Sequence, residues 1–170
     1  PSSYNQQCPW QEAETAVWLT SRVLELAFNA YDIKAFAETC GYTGPPFIWN
    51  PARRLLIRCE LDAAFFHLYG IERDDVDHIM NTFPIVKRQD EKQYGEYRTK
   101  RLILECYDAM AEAIRKGKPY QTILDPPPAD PSVAHPIERE VHLEGEPYEL
   151  LELLHEDFPG ETVSVRLPED

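Results

Sequence analysis

The stretch Asn50–Gly70 constrains the fold most. Asn50 is a good helix N-cap. Pro51 suits the first helical position, where its missing N–H costs nothing, and Gly70 suits a left-handed stop. Projected at about 100° per residue, Leu55, Leu56, Ile57, Cys59, Leu61, Ala63, Ala64, Phe65, Phe66, Leu68 and Tyr69 fall on nearly every side. A helix that is apolar all round is a central one, so the rest of the chain has to wrap it. Its length and mixed composition do not suit a membrane span.

The neighbouring segments read mainly as helix. The apolar residues of 10–28 and 32–40 fall at helical spacing, although Arg22–Phe28 also fits a strand; Asp32 stands at the start of the second segment and Gly41 at its end. Gly44-Pro45-Pro46 turns the chain, and Phe47 and Trp49 are expected to anchor that turn in the core. Residues 74–83 form a third helix with Asp74 and Asp75 in its first turn, ended by Pro84. Residues 85–95 read as a connector. The last long helix, 96–116, is amphipathic, with Leu102, Ile103, Cys106, Tyr107, Met110 and Ala113 on one side and Gly117 as its stop. The expected fold is therefore mainly α: about five helices around a buried central one. This helical domain spans residues 1–124. A Pro-rich linker (125–136) and an acidic appendage (137–170) follow. In the appendage, 139–144 and 161–167 alternate like strands around a helically spaced 147–158. A small strand–helix–strand unit and a tail that orders only on a partner both fit that pattern.

Charge and composition narrow the function. The net charge is −13. Residues 119–170 carry 13 acidic groups and two basic ones, whereas 84–118 carry nine basic and six acidic. An acidic whole disfavours general nucleic-acid binding, but the one net-basic window suits phosphate. Lys87, Arg88, Lys92, Arg98, Lys100 and Arg101 crowd into that window, with Tyr94 and Tyr97 interleaved as stacking candidates. Three readings fit: DNA-backbone contact, a solvated loop partnered by Asp90, Glu91 and Glu96, and docking onto a neighbouring domain. The four cysteines are far apart and read as reduced thiols of a cytoplasmic protein. His67 and His78 have no partner at metal-ligand spacing, and Asp74, Asp75 and Asp77 lack the Gly and Glu of a calcium loop, so no metal is expected. No nucleophile–base set and no Gly-rich phosphate loop is visible. Arg53, Glu60 and His67 recur at sevens along the central helix, which suits either a polar site facing a cleft or a solvent-facing or salt-bridged stripe. There is no secretory leader and no apolar run of membrane length, and the opening at Pro1 suggests a piece of a longer protein.

The run from Glu60 to Met110 resembles the C-terminal part of large bacterial adenine-specific DNA methyltransferases. These are the type IIG restriction-modification enzymes and related phage-defence methylases. The likeness is carried by Glu60–Asp62, Leu68–Ile71, Thr82–Ile85, Asp90–Glu91 and Gly95–Lys100, and extends over roughly residues 22–112. It implies a parent protein that uses S-adenosylmethionine and an Asn/Asp-Pro-Pro-aromatic loop to grip a flipped adenine. This segment has neither: Gly44-Pro45-Pro46-Phe47 lacks the Asn or Asp, and Asp125-Pro126-Pro127-Pro128 lacks the aromatic. The resemblance therefore implies a non-catalytic segment with no cofactor of its own, which supports the target-recognition region and approaches duplex DNA. Docking onto other phage-defence subunits, through 137–170, is the alternative.

Overall fold

A computed structural model describes residues 7–136 and, beyond them, the backbone at Arg139–Glu140 and Val163–Ser164. Six α-helices occur among the described residues: α1 (Thr15–Ala27), α2 (Lys34–Thr39), α3 (Pro51–Leu68), α4 (Arg73–Asn81), α5 (Pro84–Tyr94) and α6 (Arg98–Lys116). The fold is mainly α. No helix among these residues is long and apolar enough to cross a membrane.

The central helix begins and ends for the expected reasons. Asn50 Oδ1 accepts from the Arg53 N–H, filling one of the donors left open at a helix start. At the other end Gly70 takes φ +65°, and the Ile71 N–H returns to the Phe66 carbonyl. α3 buries Ile57, Cys59, Leu61, Ala63 and Ala64, and its largest packing partner is α6. α4 and α5 also pack on α6, while α1 packs on α3. The helix is not buried on every side, however: Arg58 and Asp62, one turn apart, face solvent.

Two cores result. The larger gathers Trp18 and Leu19 of α1, the buried face of α3, Val76 and Met80 of α4, and Ile103, Cys106 and Met110 of α6. Cys8 and Trp10 close it from the N-terminal side, Tyr120 and Leu124 from the other. The smaller gathers Leu24, Phe28, Ala37, Phe47 and Ala134. Each fully buried aromatic or aliphatic side chain contributes on the order of 1.5–3 kcal/mol. Phe47 is such an anchor, as expected. Trp49 is not: it stands 61% exposed, just before the cap at Asn50.

Residues 125–136 are not the uniformly extended linker that their prolines suggest: Asp125–Pro126 is cis, Ala129 takes φ +61°, Pro131–Val133 form a 3-10 turn, and the stretch is fastened to the helical body. Arg53 Nη2 donates to the Pro127 carbonyl at 3.0 Å, and the Ala129 N–H donates to Glu25 Oε2 at 2.8 Å. The Ile48 N–H donates to the Val133 carbonyl and the His135 N–H to that of Pro46, pairing 46–48 with 133–135 around an antiparallel Phe47–Ala134 bridge. In the appendage β1 (Arg139–Glu140) pairs parallel with β2 (Val163–Ser164), each within a stretch of strand-like alternation. The helix expected at 147–158 lies outside the described residues.

Candidate nucleic-acid interface

The basic window folds differently from its reading as a connector. Pro84 does not merely end α4. It occupies the first turn of α5, and residues 84–94 are helical. The same property that stops one helix, a missing N–H, is harmless at the start of the next. Exposed Lys87 and Glu91 pair at 3.9 Å across one turn, adding a few tenths of a kcal/mol at most. Gly95, at φ +76°, ends the helix.

A buried carboxylate fixes the corner between α5 and α6. Asp90 Oδ2 accepts from the Thr99 N–H at 2.6 Å, so an acid on α5 caps the first turn of α6. Tyr97, expected to stack, is instead a strut: its hydroxyl donates to the Met80 carbonyl at 2.9 Å, tying the corner to α4. Tyr94 remains exposed, with the Arg98 guanidinium over its ring at 4.6 Å.

The six basic candidates separate into two sets. Lys87, Lys100 and Arg101 are engaged by carboxylates: Lys87 by Glu91, Lys100 by Asp77 at 2.6 Å, Arg101 by both Glu96 and Glu105. The bonds to Glu96, and after them those to Glu105, hold Arg101 protonated more firmly than an ordinary arginine. Arg88, Lys92 and Arg98 have no carboxylate partner among the described residues. Arg88 and Lys92 lie one turn apart on the exposed side of α5, and Arg88 makes only a 3.3 Å hydrogen bond to the Pro84 carbonyl.

Tyr97, Lys100 and Arg101 also line a shallow cavity of about 390 Å³, together with Arg73, Leu104, Glu105 and Asp108. Arg73 belongs to this surface, although nothing in its sequence surroundings marks it. It donates to both carboxylate oxygens of Asp108, at 2.6 and 2.9 Å. A phosphate entering here has to compete with carboxylates already in place, whereas one approaching Arg88 and Lys92 displaces no ion pair of theirs among the described residues.

The polar stripe of α3 is not a cleft. Glu60 is fully buried. Its Oε2 accepts from Arg22 Nε at 2.8 Å, and its Oε1 accepts from the Tyr120 hydroxyl, the Thr122 hydroxyl and the Ile123 N–H. Arg53 pairs with Glu25 of α1. The stripe is thus salt-bridged, as one reading had it, but to α1 rather than along α3, and it does not face solvent. His67 bonds the Tyr107 carbonyl at 3.0 Å and stacks on the Tyr107 ring at 3.9 Å. Burial lowers its pKa below the ordinary 6.5. Burial likewise pushes the Cys59 and Cys106 thiols up to about 12, which keeps them protonated and inert. Among the described residues no cluster of His, Cys, Asp and Glu is arranged to hold a metal ion.

No family model, no curated protein and no solved structure matches this chain.

Proposed function

We propose that the chain is a non-catalytic helical segment of an adenine-specific DNA methyltransferase or restriction-modification protein. In this reading it acts in the cytoplasm, supports the target-recognition region and lays the exposed side of α5 along the DNA backbone. S-adenosylmethionine belongs to the rest of the parent protein. The observation that carries the DNA contact is the pair Arg88 and Lys92, exposed, one turn apart and without carboxylate partners among the described residues, with Arg98 beyond them. Phosphate contact releases counterions, and each neutralised phosphate steepens the salt dependence of binding by about 0.9 in log–log slope.

The test is duplex-DNA affinity of the full chain from 50 to 200 mM salt. Arg88→Ala/Lys92→Ala is expected to shallow the slope by nearly two, and Arg101→Ala, which removes a cation already held by two carboxylates, to change it little. No binding at 50 mM salt, or a slope indifferent to the α5 pair, overturns the DNA role of this surface.

A second reading is docking onto other defence subunits. It is favoured by Phe83 and Ile85, both exposed at the α4–α5 turn beside Arg88. Apolar side chains at that position suit a protein partner better than a phosphate backbone. Loss of partner capture on Ile85→Asp, with the DNA slope unchanged, would select it.

A further inference from the structure

Trp49 is the one tryptophan of three that solvent reaches: it is 61% exposed, against 1% for Trp10 and 5% for Trp18. Its indole is nevertheless held in place. The Arg54 guanidinium lies over the ring, 3.6 Å from its centroid. That guanidinium is itself fixed, since Nη1 donates to the Leu26 carbonyl at 2.7 Å and to Asn29 Oδ1 at 2.9 Å. Both acceptors are neutral, so no carboxylate is hydrogen-bonded to the cation at the ring. Arg58 follows one turn later, exposed and without an ion pair among the described residues. The two cations share one neighbourhood: after burial, the repulsion of Arg58 is the next cause lowering the Arg54 pKa, opposed by a weaker pull from Glu25. On a helix, side chains four apart stand about 5–6 Å from each other.

An exposed aromatic ring with a guanidinium fixed over one face, and a second guanidinium one helical turn beyond the first, matches the chemistry by which proteins hold single strands: a base stacked on the ring and phosphate on a nearby cation. A base inside a duplex offers no free face. We propose that Trp49, Arg54 and Arg58 form a stacking site for an unpaired nucleobase and its adjoining phosphate, a single-stranded nucleic-acid contact on α3. It uses none of the residues assigned to the duplex backbone on α5 and α6. Arg54 is a positioning residue for the ring, whereas Trp49 and Arg58 touch the strand.

Because Trp10 and Trp18 are buried, Trp49 is the tryptophan whose emission a stacked base can quench by contact. The experiment titrates the full chain with a short oligothymidine at 50 mM salt, reading emission together with the anisotropy of a labelled oligonucleotide. A saturable quench is expected. Trp49→Ala should weaken binding by about five-fold or more. Arg58→Ala should shallow the salt slope by about 0.7 while preserving the quench. Arg88→Ala/Lys92→Ala should leave both unchanged, so this site and the α5 surface fail separately. Absence of a saturable quench overturns the proposal, as does full affinity in Trp49→Ala, or an equal quench by duplex of the same length. A quench that follows protein concentration without any oligonucleotide shows the indole packing against a second copy, and overturns it too.

Discussion

Replacing Glu60 by Gln tests the central polar contact of the fold. The amide oxygen can still accept from Tyr120, Thr122 and the Ile123 N–H. The amide nitrogen, however, replaces Oε2, so two donors face each other where Arg22 Nε and Oε2 now stand 2.8 Å apart. Arg22, its side chain only 5% exposed, is left as a buried cation with no counter-charge. Breaking a buried pair from one side costs about 3–5 kcal/mol. Against a typical domain stability of about 5–15 kcal/mol, that is a large fraction. With a urea m-value of about 2 kcal/mol/M, the midpoint should fall by roughly 2 M. Arg22→Met strands the carboxylate instead and should cost a similar amount. The double variant Arg22→Met/Glu60→Gln removes both charges and keeps the three other hydrogen bonds, so it should cost less than either single change. Urea melts followed by far-UV circular dichroism and tryptophan emission read all three. Trp18, with the Arg22 guanidinium 3.4 Å over its ring, makes the emission sensitive to this site. A single-variant cost below about 1 kcal/mol, or additivity in the double, would show that the pair is solvated and the reasoning wrong.

Two further outcomes follow from buried titratable groups. His67 has a folded pKa below its unfolded 6.5, so the fold favours the neutral ring; this stabilisation is complete above pH 6.5 and is lost as pH falls below it. Urea midpoints at pH 7.5 and 5.5 should therefore drop less in His67→Gln than in the parent, and equal drops would exclude His67 as the cause. Of the four thiols, only half-buried Cys40 should react quickly with a disulfide reagent at pH 8, because Cys8, Cys59 and Cys106 are buried. More than one fast thiol would mean that the core opens on the timescale of labelling.

The limits of α3 were readable from sequence because Asn50, Pro51 and Gly70 act locally, through their own backbone requirements. Pro84 was ambiguous for the same local reason: stopping α4 and starting α5 ask the same thing of it, and what decides between them is packing of α5 on α6. Glu60 shows where spacing fails. A carboxylate on a helix that is apolar all round requires a buried partner, but Arg22 lies 38 residues away on another helix, and no periodicity along α3 points to it. The basic window was legible as a composition. Which of its cations remain unpaired was legible only in part: Arg101 and Glu105 stand one helical turn apart, a spacing the sequence shows, whereas Lys100 is taken by Asp77 of α4 through tertiary geometry. The proline-rich stretch read as a spacer because composition reports stiffness. Its attachment depends on Glu25 and Arg53, which reach its backbone rather than its side chains.

That attachment changes the mechanics of whatever follows Pro136. Twelve residues of free polyproline-like chain would give an arm of about 37 Å at roughly 3.1 Å per residue. Held along Glu25, Arg53 and the Phe47–Ala134 bridge, the stretch contributes almost none of that reach. The point of departure is set beside the smaller core and moves with it. A binding element joined there searches a small volume around one fixed origin, so its effective concentration is high for a neighbouring surface and vanishing for a distant one.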